Sequence, residues 1–266
     1  MRRSFKERMR SGEILLGAAI TTPEPDIAEF MGVLGFDWFW IDMEHCPLDF
    51  KDVETILQAL GRSTAAPIVR VPWNDPVYVK RALDLGPAGV IIPWVNNKEE
   101  AEAAVRACLY PPEGMRGCGP RRAAWRKGFA EYVREANKNV VIVVQIETRE
   151  AVRNLKEILS VPGIDGTMVG PADLSASLGY LGHPDHPEVT KTIEYIARAH
   201  KGTPVVPGIA SNPRDAEDHI RMGFRLVNVG SDLGFMEMAA KETLRRLRRL
   251  LKKGPRRSCI NGKEKS

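Results

Sequence analysis

Asp42, Glu44 and His45 fall within four residues, directly after the apolar stretch 38–41, and Pro47 ends the run. A carboxylate beside an imidazole orients a ring nitrogen and raises its pKa, which suits proton transfer near neutral pH. Arg70 follows Ile68 and Val69 at the end of another apolar run. A guanidinium there offers a fixed fork of donors to a carboxylate or an enolate oxygen. Glu147 closes the run VVIVVQIE, where a buried carboxylate needs a cation, a donor or a proton. Asp173 comes just after the next apolar run. Two carboxylates from adjacent strands, with few other protein ligands, suit a hard divalent ion such as Mg²⁺ that keeps several waters. Each residue also has a plainer role: His45 as an exposed loop residue, Arg70 bridged to Glu147 or Asp42, Glu147 paired with an arginine, Asp173 and Asp75 as helix caps. The other histidines show no metal spacing. HPDHP reads as a turn, and His200 and His219 read as helix-surface residues.

These residues need elements to carry them. Apolar runs at 14–20, 37–42, 66–71, 88–94, 140–147, 165–170, 203–210 and 225–230 alternate with helical stretches at 25–33, 49–61, 75–85, 97–109, 128–137, 149–159, 187–200, 213–222 and 232–252. Continuously apolar strands are buried on both faces, as in a parallel sheet, and strand–helix alternation makes βαβ units. About eight such units in about 250 residues is the size of a TIM (β/α)8 barrel. A doubly wound sheet is the runner-up, but no GxGxxG follows the first strand. In a barrel, function belongs at the C-terminal ends of the strands, and the polar residues above interrupt their runs at that end.

Composition narrows the function classes. A chain of 266 residues, 43% hydrophobic, suffices for one large core. No apolar run is long enough to span a bilayer, and no signal-peptide core follows the charged N-terminus. Four scattered cysteines read as reduced thiols in a cytoplasmic protein. The net charge of +5 is a property of the tail. Residues 241–266 carry eleven Lys/Arg and two Glu, which leaves a net −4 for residues 1–240. The sequence divides into a single domain, 1–252, and a basic tail, 253–266. That tail offers a nucleic-acid-binding alternative, but no aromatic residue is interleaved with its cations, so a solvated helix end is the simpler reading.

The ordered set DWFWIDMEH, VRVPWNDP, YPPEGMRG, VQIETREA and VGPADLSASLGY resembles the HpcH/HpaI aldolase family, from about residue 4 to about residue 245. The resemblance implies a TIM barrel of the phosphoenolpyruvate/pyruvate type. It implies a divalent cation (Mg²⁺, Mn²⁺ or Co²⁺) on Glu147 and Asp173, and pyruvate bound by Arg70, Gln145 and the backbone of Gly170, Pro171 and Ala172. It implies His45 with Asp42 as acid/base, and an association of Asp84 with the site, although Asp84 by itself reads as a solvated helix residue. The implied activity is reversible cleavage of a 4-hydroxy-2-oxo acid to pyruvate and an aldehyde, without a lysine Schiff base. Trimers of dimers are implied too, with the apolar stripe Met236, Ala239, Ala240, Leu244, Leu247 and Leu251 of the last helix in an interface. A CoA-thioester lyase of the same superfamily is the rival enzyme. The stretch CGPRRAAWRKGFAEY is Arg-rich and departs from the family pattern, which leaves the aldehyde open.

Overall fold

A computed structural model describes residues 3–252. Eight parallel strands close on themselves in sequence order: β1 (Leu15–Ile20), β2 (Trp38–Asp42), β3 (Ala66–Arg70), β4 (Gly89–Ile92), β5 (Val141–Ile146), β6 (Gly166–Val169), β7 (Gly208–Ala210) and β8 (Leu226–Ser231). Eleven helices surround or connect them: α1 (Phe5–Arg10), α2 (Pro25–Gly32), α3 (Phe50–Ala59), α4 (Pro76–Asp84), α5 (Lys98–Cys108), α6 (Phe129–Asn139), α7 (Arg149–Arg153), α8 (Leu155–Leu159), α9 (Pro171–Ser177), α10 (Pro187–Ala199) and α11 (Ala216–Met222). A last helix, α12 (Asp232–Lys252), follows. The barrel, through Asp232, is one compact unit, and the chain from Leu233 onward is another. The basic stretch 253–266 lies outside the described residues.

The apolar runs become strands because both faces are covered. β2, β4, β5 and β6 are buried at every position. Inside the barrel, Leu15, Trp38, Trp40, Ile68, Val143 and Met168 pack as one cluster. Gly17 makes room for the indole of Trp38, since a Cβ there would sit 2.2 Å from the ring. The β2–β3 register pairs Asp42 with Arg70, so both side chains arrive at the same level of the barrel.

Four local features differ from the sequence expectation. α1 was not foreseen, although its capping box is written in the sequence: Ser4 and Glu7 cap each other's backbone groups. The expected strand at 203–210 shrinks to β7, because Pro204 and Pro207 cannot donate to a ladder. The helix expected at 149–159 divides at Asn154 into α7 and α8. Asp173 caps nothing: Gly170 is the N-cap of α9, and Asp173 lies within its first turn. Asp75 does cap α4, accepting from the Val77 N–H at 2.7 Å.

Candidate active site

The C-terminal ends of β2, β3, β5 and β6 bring the predicted residues together. Arg70, only 6% exposed, is gripped from two sides. Its Nε and Nη2 donate to the two oxygens of Asp42, at 2.9 and 2.6 Å. Its Nη1 donates to Gln145 Oε1 at 3.2 Å. Glu44 Oε2 lies 2.8 Å from the same Nη1, an ion pair without an aligned N–H, so this oxygen has no hydrogen bond. The indole of Trp40 lies against the guanidinium, 4.6 Å from ring centre to Cζ. Five donors in a plane cannot swing freely once three are committed, so Arg70 is fixed in orientation.

Glu147 is held by neutral donors. Gln145 Nε2 donates to its Oε2 at 2.5 Å, and the backbone N–H of Trp94 donates to its Oε1 at 2.9 Å. Trp94 has φ 55°, alone among the described non-glycine residues in the left-handed region. Such a backbone costs about 1–3 kcal/mol and persists where the surroundings impose it. Here it aims an N–H at a buried carboxylate. Gly170 closes the other side, where a Cβ would lie 2.9 Å from Glu147 Oε2.

The charges are unevenly shared. Burial would raise Asp42, but the Arg70 fork and the backbone N–H groups of Glu44 and His45 outweigh it and hold the carboxyl below its usual range. Burial also raises Glu44, against the pull of Arg70 and His45. Glu147 is pushed up to about 7, by burial first and then by the nearby charges of Glu44 and Asp173; the Trp94 N–H and Arg70 pull the other way. Asp42 and Glu44 thus pair with one guanidinium, and Glu147 and Asp173 add further negative charge nearby.

The imidazole is not where the sequence reading put it. Asp42 accepts from the His45 backbone N–H at 3.3 Å, while the His45 ring stands near Asp173, Nε2 to Oδ2 4.0 Å. Asp42 holds Arg70 with both oxygens, and its bond to His45 is to the backbone N–H, not to the ring. Asp84 is not brought to this cluster within the chain. It ends α4, at the opposite end of the barrel from the strand C-termini, and its carboxylate takes Arg116 Nη2 at 2.8 Å. It is ion-paired rather than solvated.

Two histidines are also placed differently. His200 is buried, with Nδ1 against Ile196 O and Nε2 against Thr167 Oγ1. His219 lines the mouth, with Nδ1 2.7 Å from Ser211 Oγ. Neither showed a spacing signal in the sequence. A cavity of about 580 Å³ opens over the site and is lined by Asp42, His45, Arg70, Gln145 and the segment 170–173. Among the described residues, no three His, Cys, Asp or Glu side chains form a ready metal cage.

A closed parallel barrel with its ionisable groups gathered at the C-terminal mouth is the architecture of a TIM-barrel enzyme. The family model for HpcH/HpaI aldolase/citrate lyase matches residues 20–239. The 4-hydroxy-2-oxo-heptane-1,7-dioate aldolase of Escherichia coli is 41% identical over 245 residues, which are 91% of this chain and 93% of that one. The crystal structure of an HpcH/HpaI aldolase/citrate lyase family protein from Burkholderia cenocepacia superposes with a TM-score of 0.86 at 36% identity, covering 91% of this chain and 98% of that one. The citrate lyase β subunit of M. tuberculosis matches at a TM-score of 0.55 and 14% identity, over 84% of this chain and 93% of that one, and shows the shared fold alone. The chain belongs to the HpcH/HpaI aldolase/citrate lyase family. It is a carbon–carbon lyase of the aldolase type.

Proposed function

We propose that this chain cleaves a 4-hydroxy-2-oxo acid reversibly into pyruvate and an aldehyde, by way of a pyruvate enolate, with a divalent cation held by Glu147 and Asp173. The observation that carries this reading is the gathering of four carboxylates at one end of the barrel: Asp42 and Glu44 pair with Arg70, and Asp173 adds to the negative charge felt by Glu147. Only Asp42 is neutralised by a bidentate partner. Glu44 keeps a buried oxygen without a hydrogen bond, and Glu147 has neutral donors only. A hard cation fits such a surplus of oxygen charge. When bound, it supplies Lewis-acid stabilisation of developing enolate charge.

The protein groups do the rest. Gln145 and the backbone of Gly170, Pro171 and Ala172 orient the pyruvate carboxylate. Arg70, locked by Asp42, presents its remaining N–H groups on Nη1 and Nη2 to the oxygen on which charge develops. Such preorganised charge needs no reorganisation during reaction. His45 moves the proton at the methyl carbon, from a ring more than half exposed at the mouth. Asp42 serves as the clamp on Arg70 rather than as a proton carrier, since the guanidinium keeps it ionised.

The proposal extends to the molecule's setting. Residues 1–252 act as one aldolase domain, with 253–266 dispensable, in a homo-oligomer built as a trimer of dimers. The three described cysteines, Cys46, Cys108 and Cys118, are free thiols, which suits the cytoplasm. No described helix is long and apolar enough to cross a membrane.

The test is exchange of pyruvate methyl protons in D₂O, followed by NMR. Exchange that stops with chelator and returns with Mg²⁺, Mn²⁺ or Co²⁺ supports the enolate route. Absence of exchange with every metal removes pyruvate as the donor and brings the CoA-thioester lyase forward.

A further inference from the structure

Trp94 holds a left-handed backbone that glycine takes freely, and that a tryptophan takes only where its surroundings impose it. Its φ and ψ set the angle between two peptide groups. The first, shared with Pro93, carries the N–H that donates to Glu147 Oε1. The second, shared with Val95, carries the Trp94 carbonyl, which accepts from Asn96 Nδ2 at 3.0 Å. With both peptides pinned, the dihedrals between them are pinned too. The orientation of the Asn96 amide follows from its partner: Trp94 O can only accept, so the NH₂ end faces it. The Oδ1 end then accepts from Thr148 Oγ1. That hydroxyl accepts in turn from the Ala151 N–H at 3.0 Å, which leaves its own proton for Asn96.

The backbone of Asn96 is anchored as well. Its N–H donates to Glu100 Oε2 at 2.7 Å, in the first turn of α5. Its carbonyl accepts from Asn154 Nδ2 at 2.8 Å, at the break between α7 and α8. Three helices therefore fix one uncharged residue. Thr148 follows Glu147 directly in the chain. The contacts close a ring: Glu147 to Trp94, Trp94 to Asn96, Asn96 to Thr148, and Thr148 back to Glu147 through the chain.

We propose that Asn96 is a positioning residue for this enzyme's reaction: it locks the peptide on the far side of Trp94 and so keeps the Trp94 N–H aimed at Glu147 Oε1. Asn96 does not line the cavity and acts through Trp94. Without its amide, the peptide between Trp94 and Val95 is free to turn, Trp94 relaxes out of the left-handed region, and Glu147 loses a donor that fixes its place. Such supporting bonds hold a ligand in its binding geometry. The inference rests on the reading of Glu147 as a cation ligand, and the experiment separates the two.

Full-length enzyme is titrated with Mn²⁺ by calorimetry, without substrate. Glu147→Gln comes first and is expected to weaken binding by at least about tenfold. Unchanged affinity removes Glu147 from the ligand set, and this inference falls with that reading. With Glu147 established, Asn96→Ala is expected to weaken Mn²⁺ binding by about tenfold or more. Wild-type affinity in the folded variant overturns the proposal, whatever its melting temperature. Adding Trp94→Gly is expected to recover part of the loss, because glycine takes the left-handed backbone without support. A loss as large as in Asn96→Ala alone overturns the route through Trp94. Thr148 decides the matter where Asn96→Ala does not fold. Thr148→Ser keeps the hydroxyl and is expected to bind Mn²⁺ as the wild type does, whereas Thr148→Val lacks it and is expected to bind several-fold more weakly. Equal affinities of these two variants overturn the link from Asn96 to the site.

Discussion

Asp42 and Glu147 are both buried carboxylates, yet they are driven apart: a guanidinium fork offsets burial for one, while burial prevails for the other and two more carboxylates add to it. That contrast is set within ångströms, so single atoms matter. Gly170→Ala places a methyl group 2.9 Å from Glu147 Oε2, and Glu147 is pinned by Trp94 and Gln145 and cannot retreat. Mn²⁺ affinity, followed by titration calorimetry, is expected to drop by about tenfold or more, the usual effect of disturbing a ligand's support. His200 tests pH at the same scale. Burial keeps its ring from charging in the folded state, so its pKa lies below that of the unfolded chain. Below about pH 6.5 the unfolded state then binds the additional proton, and stability falls as the pH falls, by up to about 1.4 kcal/mol per unit. His200→Gln is expected to flatten that slope in urea titrations between pH 7 and 5; parallel slopes would remove His200 as the cause. The residue types of the site were legible because polar groups at the ends of apolar runs are conspicuous. Their pairing was legible in part, since a bridge from Arg70 to Asp42 was one reading of the sequence and is made. Nearness in sequence also suggested Asp42 with the His45 ring, and that contact is not made: the ring stands near Asp173.

At the scale of elements, the barrel is a matter of fit between neighbouring strands. Gly17 of β1 faces Trp38 of β2, whose Nε1 donates to Leu15 O at 3.2 Å. Gly17→Ala is expected to destabilise the protein by about 1–3 kcal/mol, the cost of overpacking a tight core. Chemical denaturation measures it, and adding Trp38→Phe should recover part of the loss; no loss in the single variant would mean that the indole has room to shift. The strands were readable because burial on both faces leaves uninterrupted apolar runs. α1 was readable in principle from Ser4 and Glu7. The left-handed backbone at Trp94 was not, since nothing in a tryptophan announces it. It arises from the demand of Glu147 for a donor, which exists only once β4 and β5 are side by side.

For the whole molecule, α12 presents Leu244, Leu247, Leu250 and Leu251 as exposed apolar side chains on a helix rich in arginine. The proposed oligomer gives them a use. Leu247→Glu is expected to lower the mass seen by light scattering after gel filtration, and an unchanged mass would separate this helix from assembly. Deleting 253–266 should leave proton exchange intact; a loss would assign that stretch a part in the site. Fold class was legible at this scale because eight runs in one length admit few architectures, whereas assembly depends on surfaces that composition does not describe.

The hydrogen bonds between β1 and β8 carry one more consequence. The barrel's first strand is completed only by its last, more than two hundred residues later. Until Ser231 emerges, the growing sheet has two raw edges, each a template for pairing with another chain. Closure by β8 thus seals the sheet: a chain cut short before it keeps both edges bare, and one that includes it does not.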